Sequence, residues 1–135
     1  MNFGHVLRVH RKLEKEYLEL NKMEDNLRDR EKLESSLAMS EMQKYYNGDI
    51  FDVAAGYAFF ISKNHPFIDG NKRIGYKTCR LFLILNGFNL TTDQKTKEKK
   101  MIDLVTERIS KEEYGSWLRT EVEEFNKYKI DFNEK

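Results

Sequence analysis

Pro66 is the only proline in this 135-residue sequence, and it lies in a short polar stretch rather than in a segment with regular apolar spacing. A proline inside a helix removes a hydrogen bond and bends the chain, so its confinement to one place leaves room for long helices on both sides. Apolar residues recur every three or four positions, and strand-like alternation is almost absent. The sequence therefore predicts an all-α fold, a compact single-domain helical bundle around a central apolar helix.

Successive segments carry an apolar stripe at helical spacing. The segment Asn71–Asn86 is so apolar toward its C-terminal half that we expect it in the middle of the bundle. The segment Arg30–Met39 is expected to turn Leu33, Leu37 and Ala38 inward. The predicted helices are Val6–Leu20, Arg30–Met39, about Ile50–Lys63, Asn71–Asn86, one opening at Thr92 or Asp93, and one opening at Ser110.

Several predicted helix ends carry residue types that are typical of helix caps. Asp49 and Ser110 stand at N-cap positions, and Ser110 begins a Ser-Lys-Glu-Glu capping box. Gly87 is the expected C-terminal stop of the helix before it. Val122 and Phe125 are expected to extend the apolar face of the last helix. The remaining polar tail, from about residue 126, is expected to fray, and residues 1–135 are predicted to form one domain.

Composition excludes several classes of protein. The net charge is +1 although 35% of the residues are charged, which argues against a general nucleic-acid binder. Cys79 is the only cysteine, so an internal disulfide is impossible and a reducing compartment fits. No apolar run reaches the length of a membrane span, and Met1–Lys12 lacks the apolar centre of a secretory signal. We expect a cytoplasmic protein with no membrane association.

Residues 64–73, Asn-His-Pro-Phe-Ile-Asp-Gly-Asn-Lys-Arg, combine reactive groups in one turn before a helix. The N-terminus of a helix attracts anions through its unpaired N–H groups and its dipole, and Lys72 and Arg73 add positive charge. Asp69 would repel a bare phosphate unless a divalent cation, usually Mg²⁺, lies between them. His65 can accept a proton near neutral pH. The stretch therefore predicts a site that binds a magnesium polyphosphate and deprotonates a hydroxyl.

Individual roles follow from the same chemistry. His65 is the predicted general base, and Asp69 the predicted magnesium ligand, with a helix N-cap as its alternative, compatible role. Phe67 is an apolar anchor for the loop. Gly70 allows the backbone to approach phosphate oxygens. Arg73 can contact phosphate with two N–H groups, whereas Lys72 acts as a point charge.

The run His65–Arg73 resembles the signature of the Fic/Doc superfamily, and specifically its death-on-curing (Doc) toxin branch. Weaker similarities lie in Leu27–Asp29 with Leu33–Ala38, and in Leu83–Phe88. The similarity spans roughly Val6–Leu118. It implies the Fic fold, ATP and Mg²⁺ as cofactors, binding of the nucleotide by Gly70, Asn71, Lys72 and Arg73, and an anion-hole role for Asn71.

Two departures from the superfamily pattern indicate the reaction. AMP-transferring Fic enzymes typically carry glycine where this chain has Lys72, and a second arginine where it has Tyr76. In the Doc branch ATP binds in the reversed sense and presents its γ-phosphate to the target hydroxyl. The resemblance therefore implies phosphoryl transfer to a protein, with elongation factor Tu as the candidate target and arrest of translation as the result.

Control and alternatives follow from the same comparison. Many Fic proteins carry an inhibitory helix with a Glu-Gly or Glu-Asn pair, and this sequence contains neither. Inhibition by a small antitoxin acting in trans is therefore expected. Transfer of AMP to a protein is the alternative activity, and an inactive helical binding module is the alternative from a different class.

Overall fold

The computed structural model describes residues 23–46 and 48–124, and it confirms a mostly helical fold with one small sheet. The predicted helix Val6–Leu20, Phe125 and the tail from about residue 126 lie outside the described residues. In chain order the elements are α1 (Met23–Asn26), α2 (Arg30–Met42), a 3₁₀ turn (Gln43–Tyr45), α3 (Ile50–Asn64), α4 (Asn71–Leu85), β1 (Phe88–Leu90), α5 (Gln94–Val105), α6 (Lys111–Thr120) and β2 (Val122–Glu124).

The predicted helix ends are largely confirmed. The Asp49 carboxylate accepts hydrogen bonds from the first turn of α3, and Ser110 forms the expected capping box with Glu113 at the start of α6. Asp93, one of the two predicted openings, caps α5 by accepting from the N–H of Thr96. Gly87 adopts a positive φ of 92° directly after α4, the conformation of a glycine stop.

The helix in the middle of the bundle is α3, which corrects the expectation that α4 would lie there. α3 packs against α2, α4, α5, α6 and the 3₁₀ turn. Small residues on α3 (Ala54, Ala55, Gly56 and Ala58) are buried and allow neighbouring helices to approach closely. α4 instead has one buried face and one face of exposed cations, because apolarity along one side of a helix does not require burial all round.

α3 and α4 are in close contact at Gly75. A Cβ added at Gly75 of α4 would lie 2.9 Å from the Ala58 carbonyl oxygen and 2.9 Å from Ser62 Oγ. No side chain larger than hydrogen fits there without a shift in the backbone. These two helices flank residues 65–70, so their tight contact fixes the distance between the two ends of that loop.

Three local expectations are wrong. α2 continues to Met42, and Ala38 is exposed, whereas Ser36 and Ser40 are buried because each hydroxyl donates to a carbonyl one turn earlier at 2.7 Å. Met23–Asn26 forms a helical turn. The last helix ends at Thr120, and Val122 lies in β2, where it pairs antiparallel with Leu90 of β1.

Two further observations concern Cys79 and membranes. Cys79 is fully buried in α4, where burial raises the pKa of its thiol, so it acts as an apolar filler. Across residues 23–46 and 48–124, every helix is too short or too polar to cross a bilayer.

Candidate active site

The loop between α3 and α4 begins and ends with a left-handed residue. His65 follows α3 with φ 51° and ψ 55°, and Gly70 precedes α4 with φ 76° and ψ 23°. The conformation is natural for glycine, but for histidine it carries strain of about 1–3 kcal/mol. Such strain persists only where surrounding contacts hold the backbone, so the position of His65 is imposed by the fold.

The loop is anchored from inside by Phe67, which is 2% exposed, as predicted. The buried Asn71 side chain pairs with the Phe67 backbone: its Oδ1 accepts from Phe67 N at 3.0 Å and its Nδ2 donates to Phe67 O at 3.0 Å. The same Nδ2 lies 3.3 Å from His65 Nδ1. The anion-hole role of Asn71 stays a prediction, and the structure shows a positioning role for its amide.

The charged or titratable side chains of the motif lie at the surface. His65, Asp69, Lys72 and Arg73 are all exposed, while Phe67 is buried. The loop therefore separates a buried anchoring side from an exposed reactive side, as the sequence predicted. This arrangement leaves the reactive groups accessible to a large substrate such as a protein.

Asp69 is not the N-cap of α4. Gly70 occupies that position, and no side chain caps the helix. Asp69 Oδ1 accepts from the N–H of Gly70 at 2.8 Å, which is too early in the chain to satisfy the first turn of the helix. With no side-chain cap, the N–H groups of that turn can donate to an anion, which is the condition for anion binding at a helix start.

At this loop the protein offers a magnesium ion one carboxylate ligand, Asp69, rather than a complete set of ligands. Among residues 23–46 and 48–124, no group of three or more histidine, cysteine, aspartate or glutamate side chains could hold a metal. Mg²⁺ is commonly bound by one or two carboxylates together with substrate phosphates and water. The exposed Asp69 carboxylate beside an uncapped helix start fits a magnesium ion that arrives with a polyphosphate.

A cleft of about 450 Å³ lies between α4 and α5, next to the loop of residues 65–70. This volume falls within the usual range of small-molecule sites, roughly 300–1,000 Å³. The cations Lys72, Arg73 and Lys97 contribute to its walls, and Met101 and Ile102 make part of its lining apolar. Sequence reasoning did not identify the α5 side of this cleft, because nothing local marks which face of α5 meets α4.

Arg73 and Tyr76 connect the cleft to the loop and to the core. The Arg73 guanidinium folds back toward Gly70, where an added Cβ would lie 2.8 Å from a guanidinium nitrogen. The ring of Tyr76 lines the cleft with Lys97 Nζ 5.7 Å from its centroid. The Tyr76 hydroxyl is buried without a hydrogen-bond partner in the described structure, and burial raises its pKa to about 12.

Residues 26–28 bind the loop on its outer side. Sequence reasoning did not identify these contacts either. Asn26 contacts the backbone of Asp69, Leu27 forms an antiparallel bridge with Phe67, and the Arg28 guanidinium donates to the His65 carbonyl. Leu27–Asp29 had been noticed only as a segment similar to other family members. The contacts of residues 26–28 with the loop span 37 to 43 positions, so sequence spacing could not reveal them.

Comparison with known proteins agrees with the geometry. A family model described as the Fic/DOC family matches residues 1–83, which include the whole loop and most of α4. No curated protein matches the sequence. The matched residues thus contain every predicted site residue between His65 and Arg73.

Proposed function

Because the chain belongs to the Fic/DOC family, whose members are typically enzymes that transfer nucleotide-derived groups to proteins, we propose that it transfers the γ-phosphate of ATP to a protein hydroxyl. The observation that carries this proposal is the exposed Lys72 in the uncapped first turn of α4, beside Arg73. A lysine there occupies space and adds charge where AMP-transferring relatives leave room for the outer phosphates. This favours the reversed nucleotide of the Doc branch.

The anionic end of ATP fits the start of α4. The free N–H groups of the first turn and the positive end of the helix dipole both favour phosphate oxygens. Arg73 can form paired N–H contacts with them, and Lys72 adds a second charge. When bound, Mg²⁺ held by Asp69 would neutralise phosphate charge and orient the polyphosphate.

The transfer step itself requires a base beside the reacting hydroxyl. The hydroxyl oxygen forms a bond to the γ-phosphorus, the bond from that phosphorus to the bridging oxygen breaks, and ADP leaves. The hydroxyl proton passes to the exposed imidazole of His65. Lys72, Arg73 and the helix start stabilise the charge on the transferring group and on ADP, and electrostatic stabilisation of this kind dominates phosphoryl transfer.

The biological role proposed is that of a Doc toxin acting in the cytoplasm. Its target would be elongation factor Tu, and its modification would stop translation. The absence of a Glu-Gly or Glu-Asn pair from the sequence supports control by a separate antitoxin rather than by an inhibitory helix within these 135 residues. Failure of a protein encoded beside it to bind the chain or relieve its toxicity would contradict this part.

Transfer of AMP is the second candidate, and the cleft between α4 and α5 favours it. A nucleoside seated in the cleft would bring its α-phosphate toward the loop. Against this, Tyr76 supplies no cation for the outer phosphates, and its hydroxyl is buried. The orientation of ATP therefore separates the two activities.

Two labelled forms of ATP distinguish phosphoryl transfer from AMP transfer. The full chain is incubated with a cell extract and ATP labelled on either the γ- or the α-phosphate, with His65→Ala as the control. Label from γ-labelled ATP alone, and a phosphate adduct by mass spectrometry, supports phosphoryl transfer. Label from α-labelled ATP supports AMP transfer. No label from either, together with equal growth of cells expressing wild type and His65→Ala, would support an inactive binding module.

A further inference from the structure

The side-chain amide of Asn26 forms hydrogen bonds with both the N–H and the C=O of Asp69. Its Nδ2 donates to Asp69 O at 3.0 Å, and its Oδ1 accepts from Asp69 N at 3.2 Å. The Asn26 backbone carbonyl also accepts from Ile68 N at 2.8 Å. One residue therefore restrains the backbone of two successive residues of the loop, Ile68 and Asp69.

The following residues continue the contact toward the start of the loop. Leu27 bridges Phe67, and the N–H groups of Arg28 and Asp29 both donate to Pro66 O, at 2.9 and 3.0 Å. The Arg28 guanidinium donates to His65 O. We call Asn26, Leu27 and Arg28 the loop clamp, since together with Asp29 they bond to the backbone of His65, Pro66, Ile68 and Asp69, and Leu27 lies opposite Phe67 in the bridge.

The reactive side chains need such a support because little else holds them. His65 and Asp69 are exposed, and Phe67 and Asn71 restrain the loop from its buried side only. The Asp69 carboxylate accepts from the N–H of Gly70 at 2.8 Å, and Asn26 holds the Asp69 backbone itself at both the N–H and the C=O. Misplacing a reacting group by about 1 Å can lower a rate by about a hundredfold.

We propose that Asn26 is a positioning residue that aims the Asp69 carboxylate at the magnesium-bound nucleotide. It acts through Asp69 and does not touch the nucleotide. The inference rests on the proposed function, because it assigns a role in the binding of ATP with magnesium. Its consequence is that a residue 43 positions away from Asp69 sets the magnesium requirement of the site.

The test is a double-variant cycle on the full chain. Binding of ATP is measured by calorimetry at increasing Mg²⁺ for wild type, Asn26→Ala, Asp69→Ala and the double variant. Asn86→Ala is the matched control: its Nδ2 donates to the Phe82 carbonyl at 2.8 Å, far from the loop in sequence. Exchange of the loop amides with deuterium, measured without nucleotide, gives a readout independent of metal.

The expected result is specific to positioning. Asn26→Ala should raise the Mg²⁺ concentration for half-maximal ATP binding about tenfold and speed exchange at the amides of Ile68 and Asp69, with Asn86→Ala unchanged. In the Asp69→Ala background the same substitution should have no further effect on ATP binding, because no carboxylate remains to be aimed.

Other results would overturn the inference in distinguishable ways. Equal Mg²⁺ dependence in wild type and Asn26→Ala would refute the positioning role while leaving the proposed function intact. An equal loss of binding in both backgrounds, with a lowered Tm, would show a purely structural contact. Absence of magnesium-dependent ATP binding by the wild type would refute the proposed function, and with it this inference.

Discussion

The side-chain Nδ2 of Asn71 lies 3.3 Å from Nδ1 of His65 while it donates to the carbonyl of Phe67. An NH₂ group can only donate, so this contact is a hydrogen bond only when Nδ1 of His65 carries no proton. The Asn71 amide thus connects the Phe67 backbone, which anchors the loop, to the imidazole of His65.

Replacing Asn71 with alanine should destabilise the fold. The backbone N–H and C=O of the buried Phe67 would lose their partners, and we expect the free energy of unfolding to fall by about 2 kcal/mol. Urea denaturation at neutral pH measures the change. Thr120→Ala, which removes an exposed hydroxyl bonded to Trp117 O, should stay within about 0.5 kcal/mol of wild type. Equal stability of the two variants would contradict the anchoring role.

Gly70→Ala and Gly87→Ala separate backbone strain from disturbance of the site. Both glycines have positive φ, 76° and 92°, so each substitution should lower the free energy of unfolding by about 1–2 kcal/mol. Only the Cβ at position 70 would meet the Arg73 guanidinium and displace it. Gly70→Ala should therefore also weaken ATP binding, measured by calorimetry, whereas Gly87→Ala should not. Equal ATP affinities would contradict the placement of Arg73 at the phosphates.

The ion pair between Asp49 and Arg119 should make a small, pH-dependent contribution to stability. Partial burial acts to raise the pKa of Asp49, but Arg119 and the N–H groups of α3 outweigh it and lower the pKa below its ordinary 3.8. A lowered pKa in the folded state stabilises above the unfolded pKa, and that stability is lost as pH falls through the folded pKa.

Asp49→Asn tests this ion pair while keeping a good N-cap. Both side chains are largely exposed, so we expect a loss of about 0.5 kcal/mol at pH 7. The difference from wild type should shrink as pH falls below 3.8. Urea denaturation across this pH range measures it. A difference that grows toward acid pH would show that the sign is wrong.

Lys72→Ala tests the charge on which the choice of reaction depends. Loss of a charged contact to phosphate should lower kcat/KM for transfer of γ-label by about tenfold to a hundredfold. Lys77→Ala is the control, since Lys77 is also exposed on α4 but lies outside the residues that line the cleft. Equal activities of the two variants would remove the main argument for phosphoryl over AMP transfer.

The reactive groups could be predicted from sequence because they are neighbours in one turn. His65, Asp69, Lys72 and Arg73 need only the loop and the start of α4 to come together. Assigning Asp69 as a possible cap failed because the left-handed Gly70 takes the N-cap position and leaves the carboxylate one residue too early. Local patterns give the residue types of a site, but the backbone conformation decides which bonds each one makes.

The longer-range features could not be predicted in this way. Apolarity favoured α4 as the central helix, yet small residues made α3 central, because close approach depends on side-chain size as well as hydrophobicity. Ala38 was expected inward and Ser36 was not, but a serine that bonds to its own helix can be buried. The loop clamp depends on contacts between distant residues, and only the folded chain brings them together.

The contact of Gly75 with Ala58 and Ser62 keeps α3 and α4 close together beside the loop. Helices in such close contact hold the two ends of the loop at a nearly constant separation. We therefore expect adjustment to the proposed nucleotide to come from the long side chains of Lys72 and Arg73. We expect the main chain of the loop to superimpose closely between free and nucleotide-bound crystals.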